Sequence, residues 1–457
     1  MKKLLIFLPL AILSGCAAFH ARPVSPLQSA SAFEQRTLAS PELEKYFETN
    51  LHKKIALWPP KTWDFNMLEM AAAYYNPALD VVRAKWGVAS AAVITAGEIP
   101  NPGVSVLGQH HSSIPGGISP WTWGLSLDIP VQTAGKRGYR IRRAQNLSEA
   151  ARLNITEAEW QIGSGLRKSL LDLYAATNRG NYLHSQLESQ QKIVNMFEAR
   201  LTSGESSQFE VTQSRLALDK IRLLLANNER HKAQARSELA VALGLPAKAL
   251  NGINISFNIF RQLPLPINLK SIKQKALTGR ADILAALQQY EAAQSELQLQ
   301  IAKQYPDIHI GPGYEWDQGD NKWTLGLSIS LPIFNRNQGP IAEAKARRKE
   351  SAASFLALQA GVTGQIDRAE AAYALSLDTL KTAGNIVSGE QTGMRAAKDR
   401  FASGDTGSLE LEQVKMELAS AQLAQFEAFV SAQAEFGKLE DAVQQPLDNG
   451  VENEISK

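Results

Sequence analysis

Cysteine is almost absent from this chain of 457 residues, which has a single one, Cys16. One thiol excludes a disulfide within the chain and any metal site built from several thiolates. Long apolar runs are also missing beyond the N-terminal segment, where no stretch reaches the roughly 18 residues that a membrane-spanning helix needs. The charges nearly balance, with 48 Lys and Arg against 45 Asp and Glu, so no polyanionic partner such as a nucleic acid is predicted.

Catalytic patterns are missing too. No arrangement of Ser, His and Asp, no pair of acids and no metal-ligand spacing stands out. Gly135-Lys136 has the form of part of a phosphate loop, but Pro130 occupies the position of its first glycine and no Ser or Thr follows the lysine. We expect the adjacent His110-His111 in an exposed loop rather than at a metal. The sequence therefore predicts no enzyme, no cofactor and no metal site.

The first 15 residues have the pattern of a bacterial lipoprotein signal peptide. Met1-Lys2-Lys3 is basic, the run from Leu4 to Leu13 is apolar, and Leu13-Ser14-Gly15-Cys16 matches a lipobox cleavage site. Cys16 is then the first mature residue and carries lipid such as palmitate. A transmembrane anchor is the alternative, but so short a run does not cross a hydrocarbon core of ~30 Å. By resemblance to other lipoproteins, Ala17 in place of an aspartate favours delivery to the outer membrane.

What the chain does contain is an internal repeat. The run from Trp121 to Pro130 is echoed by the run from Trp323 to Pro332, 202 residues later. A second match, between Arg200-Leu201-Thr202-Ser203-Gly204 and Arg400-Phe401-Ala402-Ser403-Gly404, has an offset of 200 residues. Two matches this close to the same register indicate two copies of one structural unit.

Each copy contains strands that alternate between apolar and polar residues. From Trp323 to Leu331 every second residue is apolar and the residues between are Thr, Gly or Ser, which is the period of a strand. The strands are about ten residues long, as a tilted strand needs to cross a bilayer. Preceding segments complete hairpins at 103–130 and 307–332, with aromatic residues near the loop ends, as in a membrane-interface girdle. A soluble β-sandwich is the alternative.

Four strands do not close a barrel, and open sheet edges in lipid leave backbone groups unpaired. The chain must therefore assemble with copies of itself. Two copies supply eight strands, whose interior side chains fill, whereas three supply twelve strands and leave an open lumen. A cyclic homotrimer surrounded by outer-membrane lipid is the preferred prediction.

The helices are longer than a globular domain requires. No proline interrupts 141–203, and its apolar residues recur at spacings of three and four, as in a coiled coil. After Gly204 the chain returns to the stop signal Leu243-Gly244-Leu245-Pro246. The second copy repeats this from 341 to 403 and back to Leu439. The predicted fold is thus mainly α, with long antiparallel coiled-coil helices and four strands per chain.

These motifs resemble the TolC-type outer-membrane efflux channels, and among them the CzcC/CusC-like heavy-metal branch. The residues that carry the resemblance are Asn76-Pro77-Ala78-Leu79, Pro100-Asn101-Pro102, Gly135-Lys136-Arg137-Gly138 and the run from Leu331 to Ile341. It covers about residues 70 to 440. It implies a trimer with a twelve-stranded transmembrane barrel, a helical tunnel in the periplasm, and an equatorial region built from 31–65, 247–270 and the C-terminus.

The resemblance also implies partners and a substrate. A periplasmic adaptor and an inner-membrane pump of the resistance-nodulation-division type would deliver heavy-metal cations, which the channel conducts passively to the outside. Adaptors dock on the hairpin tips of such channels. Here the tip residues are Arg200, Leu201, Gly204, Arg400, Phe401 and Gly404.

Acids near these tips are candidates for a selective gate. Glu210, Asp405 and Glu410 would each form a ring of three carboxylates under threefold symmetry, which concentrates cations. By resemblance, Glu410 falls where the family has a gating aspartate, but Gln413 replaces the family's next acid. The alternative is that acids in a first helical turn only complement the helix dipole.

The predicted organisation has six parts. They are the signal peptide 1–15, a lipidated N-terminal and equatorial segment 16–70, a first repeat 71–246 with its tip at Gly204, an equatorial linker 247–270, a second repeat 271–440 with its tip at Gly404, and a tail 441–457. Three other functions stay open: a drug or peptide/protein export channel of the same fold, a lipid-anchored structural coiled coil, and a secreted enzyme.

Overall fold

The computed structural model describes residues 17–55, 57–114, 116–263 and 269–447. The signal peptide, the lipidation prediction at Cys16 and the end of the tail lie outside these residues. The helices are α1 (Pro26–Glu34), α2 (Pro41–Leu51), α3 (Phe65–Tyr75), α4 (Pro77–Gly97), α5 (Lys136–Thr202), α6 (Gln208–Leu243), α7 (Leu269–Gly279), α8 (Ala281–Ala302), α9 (Gln338–Ala402) and α10 (Ser408–Val443). The strands are β1 (Gly103–His110), β2 (Trp121–Val131), β3 (Ile308–Asp317) and β4 (Asp320–Ile329).

The four strands form one antiparallel sheet in the order β1-β2-β3-β4. Both predicted hairpins are confirmed, and β2 pairs with β3 across the two repeats, from Thr122 opposite Asp317 to Val131 opposite Ile308. This central pairing leaves β1 and β4 as the two edges of the sheet.

The second hairpin differs from its prediction in extent. Its turn is only Gln318-Gly319, both with positive φ, which suits a two-residue hairpin turn and lets pairing continue to Asp317 opposite Asp320. At the other end Ile329 pairs with Ile308, the first residue of β3. Leu331, predicted to continue the strand, therefore lies beyond it, because β3 offers no partner there.

Two very long helices are confirmed. α5 has 67 residues and α9 has 65, so each is about 100 Å long at 1.5 Å per residue. Each packs along the helix that follows its tip, α5 against α6 and α9 against α10. α4 and α8 pack beside the first half of α5, so each β-hairpin continues into a layer of helices.

The main cores form a belt partway along the long helices. In the first core, Leu166 and Leu170 of α5 pack with Leu43, Trp63 and Phe260, which come from the N-terminal segment and the linker between the repeats. In the second core, Ile366 of α9 packs with Phe436 and Leu447 near the end of the chain. These cores lie in the segments expected to form the equatorial region.

The apolar surface needed to cross a bilayer is not found on any described helix. None combines sufficient length with sufficient hydropathy to be a transmembrane span.

Candidate functional site

One face of the sheet is almost wholly apolar. The apolar and aromatic side chains on it are Val104 and Val106 of β1; Trp121, Trp123, Leu125, Leu127, Ile129 and Val131 of β2; Ile308, Ile310, Pro312, Tyr314 and Trp316 of β3; and Trp323, Leu325, Leu327 and Ile329 of β4. The polar exceptions, His110 and Asn321, both lie at the loop end. In the single chain these side chains are largely uncovered, with Trp323 80% and Leu327 73% exposed. A continuous apolar face on a four-stranded sheet marks a surface that meets lipid or another protein.

The opposite face is polar and rich in glycine. It carries Gly103, Ser105, Leu107 and Gln109 of β1; Thr122, Gly124, Ser126, Asp128 and Pro130 of β2; His309, Gly311, Gly313, Glu315 and Asp317 of β3; and Asp320, Lys322, Thr324, Gly326 and Ser328 of β4. Leu107 and Pro130 are the apolar exceptions. With His309 neutral, four acids outnumber one lysine on this face, so it attracts cations.

A hydrogen-bonded network links the strands at the loop end. The Thr122 hydroxyl donates to Asp317, and the other oxygen of Asp317 accepts from Lys322. His111 Nε2 lies 3.0 Å from the same Thr122 hydroxyl. The expectation that both histidines lie in a loop is wrong for His110, which is the last residue of β1 and packs edge-on against Trp121 at 4.7 Å.

Two carboxylate contacts at the helix end of the sheet were not anticipated from the sequence. His309 Nδ1 lies 2.9 Å from an Asp128 carboxylate oxygen. One step closer to the helices, Asp307 accepts from Lys136 Nζ at 2.7 Å and from the Thr133 backbone N–H at 2.9 Å. Each pair joins residues from different repeats, so only the register between β2 and β3 reveals them. Among the described residues, no group of three or more His, Cys, Asp or Glu has the geometry of a metal site.

The two hairpin tips have the same backbone turn. In the first, Glu205 N–H donates to Arg200 C=O at 2.8 Å and Gly204 N–H to Leu201 C=O at 3.1 Å. In the second, Asp405 N–H donates to Arg400 C=O at 2.9 Å and Gly404 N–H to Phe401 C=O at 3.1 Å.

This pattern is the Schellman motif, in which a residue with positive φ reverses the chain. Gly204 and Gly404 supply it with φ of 79° and 81°. The repeated Arg-x-x-Ser-Gly sequence is therefore explained by the way both long helices end.

The three predicted gate acids have different local partners. The Glu210 carboxylate accepts from the Ser207 backbone N–H at 2.7 Å and from the Ser206 and Ser207 hydroxyls at 2.9 Å, completing a capping box at the start of α6. The Ser207 backbone N–H first, and then the two hydroxyls, hold the pKa of Glu210 below its ordinary value. These contacts support the alternative to a selective ring at this residue, namely that Glu210 stabilises the start of α6.

Glu410 and Asp405 make simpler contacts. Glu410 forms an ion pair of 2.9 Å with Arg400, and its side chain is about half exposed. Asp405 accepts from the Ser403 hydroxyl at 2.9 Å. The cap position before α10 is Gly407, which has no side chain to bond the helix start, so the two tips are not chemically equivalent.

A buried acid near the second tip was not among the predicted site residues. Glu412 has only 8% of its side chain exposed and lies 2.6 Å from Lys415 Nζ and 3.9 Å from Lys192 Nζ. Lys192 belongs to α5, so this cluster links the tip of the α5–α6 helical hairpin to the tip of the α9–α10 helical hairpin. Nearby, the Ser408 hydroxyl contacts Met196 Sδ at 3.6 Å.

The sheet, the paired hairpins and the repeated tips agree with a match to a known protein family. The model of the outer membrane efflux protein family matches residues 71–245 and 272–443, which is more than half of the chain. This chain belongs to the outer membrane efflux protein family. It is therefore an efflux channel of the outer membrane and not an enzyme, and the resemblance drawn from the sequence is confirmed.

Curated relatives within the outer membrane efflux proteins are distant. Cobalt-zinc-cadmium resistance protein CzcC of Cupriavidus metallidurans is 22% identical over 72% of this chain and 78% of its own length. Pyoverdine export outer membrane protein OpmQ of Pseudomonas aeruginosa is 24% identical over 48% of each chain. Probable outer membrane lipoprotein SilC of Salmonella typhimurium is 24% identical over 51% of this chain and 52% of its own.

A solved structure has the same fold. The outer-membrane channel protein CusC superimposes with a TM-score of 0.68, covering 94% of this chain and 99% of its own at 18% identity. At this identity the likeness concerns the fold, and it confirms the predicted combination of long helical hairpins with four strands per chain.

Proposed function

We propose that three copies of this outer membrane efflux protein close into a twelve-stranded barrel whose polar face lines a lumen. The observation that supports this proposal most directly is the sheet itself, which has one exposed apolar face, one polar face and two open edges, β1 and β4. In lipid, unpaired backbone groups at those edges cost several kilocalories per mole each, and pairing β4 of one copy with β1 of the next removes that cost. Twelve strands leave room for a passage.

The conduit receives its cargo from a periplasmic adaptor and an inner-membrane pump of the resistance-nodulation-division type. The tips support this role because their turns are identical in backbone and carry matching side chains, Arg200-Leu201 in one and Arg400-Phe401 in the other. Three copies would thus present six similar docking points. The exposed Phe401 side chain offers an apolar contact.

Divalent heavy-metal cations are the proposed cargo. Similarity to the cobalt-zinc-cadmium resistance protein CzcC supports it, and so does the excess of acids on the polar face of the sheet. Similarity to the pyoverdine export protein OpmQ favours a second candidate, export of an organic metal chelator. Anchoring through lipid on Cys16 is supported by the lipobox and by the similarity to the lipoprotein SilC.

Gene deletion separates the two cargoes. Loss of the protein should lower tolerance to cobalt, zinc or cadmium, measured as growth in graded metal, and the wild-type gene on a plasmid should restore it. Unchanged tolerance to all metals, together with loss of siderophore from the medium, would favour the chelator instead. Planar-bilayer recording of the purified protein tests the channel directly, and absence of discrete conductance steps would refute the barrel.

The gate remains a proposal at Glu210, Asp405 and Glu410. Glu410 is the best candidate of the three, because its carboxylate is half exposed and its partner, Arg400, is a flexible side chain. We predict that Glu410→Gln lowers the cation preference of the reconstituted pore, measured as a smaller shift of reversal potential in a salt gradient. Glu210→Gln removes the same charge at the first tip, where a glutamine still completes a capping box, and so compares the two gate candidates. Equal reversal potentials for wild type and Glu410→Gln would refute a ring at Glu410.

A further inference from the structure

The helix end of the polar face has an open space around one histidine. Asp128 pairs with Gly103 on β1, and at the same level Gly311 pairs with Gly326 on the two strands beyond. Asp128 is thus the only side chain in a row whose other members are glycines. His309 lies in the next row, between Pro130 of β2 and Ser328 of β4, and its ring meets Asp128 across the space that the glycines leave.

The contact with Asp128 fixes which ring nitrogen of His309 is available. A carboxylate only accepts hydrogen bonds, so the proton of the neutral ring is on Nδ1, which lies 2.9 Å from Asp128 Oδ1. Nε2 then carries the lone pair. The same carboxylate–histidine arrangement orients imidazole ligands in metal sites and strengthens their basicity.

The side chain that carries this nitrogen is partly exposed, and the charge around it is negative. The side chains of His309 and Asp128 are 42% and 57% exposed. The other nearby acid, Asp307, is already paired with Lys136 at 2.7 Å, so that pair adds no net charge. Asp128 therefore gives the pair with His309 a net charge of about −1 when the imidazole is neutral.

We propose that His309, oriented by Asp128, is a transient binding point for borderline divalent cations such as Zn²⁺ on the polar face of the sheet. One imidazole nitrogen prefers Zn²⁺, Co²⁺ or Ni²⁺ over Mg²⁺ or Ca²⁺, which prefer oxygen ligands. Water completes the coordination shell, so binding is weak and exchange is fast, as passage through a conduit requires. The place of this site in a lumen rests on the proposed function.

The test is protection of His309 from acylation by diethyl pyrocarbonate, which reacts with the same neutral ring nitrogen. The full-length protein in detergent is treated with and without Zn²⁺, and modification of His309 is quantified by peptide mass spectrometry. At a Zn²⁺ concentration about four times the dissociation constant, the rate should fall about fivefold, because the free fraction is 1/(1 + [L]/Kd). Mg²⁺ at the same concentration should leave the rate unchanged.

Asp128→Asn is the discriminating variant, since its amide no longer forces the proton onto Nδ1. His309 in this variant should still be acylated, but Zn²⁺ should protect it markedly less. Equal rates with and without Zn²⁺ in the wild type, or equal protection in Asp128→Asn, would overturn the site.

Bilayer recording keeps this result separate from the proposed function. His309→Gln should lose any slowing of conductance that Zn²⁺ causes in the wild type. A wild type that shows protection but no pore would refute the barrel and leave the cation site standing, whereas a pore without protection would do the reverse.

Discussion

Ser207 and Gly407 are the cap residues before α6 and α10, but only Ser207 has a side chain that can bond the start of its helix. The Ser207 hydroxyl accepts from the Glu210 backbone N–H at 3.2 Å, whereas Gly407 has no side chain. We predict that Ser207→Ala destabilises the start of α6 by about 1 kcal/mol. Amide exchange in its first turn should then accelerate about fivefold, measured by hydrogen–deuterium exchange.

Gly407→Ser is the matched gain-of-cap variant. The backbone there is extended, with φ −86° and ψ 165°, and a side chain would have only ordinary contact with Arg200 at 3.8 Å. Exchange at the start of α10 should slow. If both variants left exchange unchanged, side-chain capping would not matter at these tips.

Acid should release the Glu210 cap. Its pKa is lowered in the folded state relative to the ordinary value of 4.5, so the carboxylate adds stability above pH 4.5. That stability is lost as the pH falls through the lower, folded value. Exchange at residues 208–211, corrected for its intrinsic pH dependence, should therefore show a step below pH 4.5. Glu210→Gln has no carboxyl to titrate and should show no step; a step of equal size in the variant would assign it to another group.

At the scale of helices and strands, the spacing of apolar residues and the positions of glycine and proline were sufficient to predict most of the fold. Alternation gave the two hairpins, and the glycine at each tip gave the ends of α5 and α9. The contacts between repeats were not predictable in the same way, because β2 and β3 are separated by the whole of α5 to α8. His309 and Asp128 each fit the polar face by period two, but their meeting depends on a register that no local pattern encodes.

Gly244 shows how the end of α6 is constrained by the junction between α3 and α4 that lies against it. It ends α6 with φ 72°, and a Cβ there would lie 2.5 Å from the Tyr75 carbonyl oxygen, where α3 gives way to α4. We predict that Gly244→Ala costs more than the ~1 to 2 kcal/mol of the left-handed conformation alone. The loss should be visible as a lower thermal midpoint of the detergent-solubilised protein.

Gly252→Ala is the matched control for that change. Gly252 has φ 75°, but no atom lies within 4 Å of the position that a Cβ would take there, so this variant carries the conformational cost without the clash. The difference between the two variants isolates the contact with Tyr75. Equal midpoints for both variants would show that this close approach does not constrain the end of α6.

For the whole molecule, the belt of cores and the sheet differ in whether one chain is enough to complete them. The belt cores close within one chain, since the segments around Trp63, Phe260 and Leu447 cover the middle of α5 and α9. The sheet does not close within one chain, because its edges are open and its apolar face is uncovered. A single copy therefore has closed cores at the belt but open edges at the sheet, which the proposed trimer would pair.

Adjacent residues on β4 test the sidedness of that assembly. Leu327 lies on the apolar face and Ser328 on the polar face. If the apolar face meets lipid, Leu327→Arg should cost about 2 to 4 kcal/mol near the bilayer midplane and lower the yield of heat-modifiable oligomer in outer membranes. Ser328→Arg, which places the same charge on the lumen side, should assemble normally and change only the conductance. The opposite order, with Ser328→Arg blocking assembly and Leu327→Arg tolerated, would mean that the polar face is the one buried against lipid or protein and that the proposed barrel is inside out.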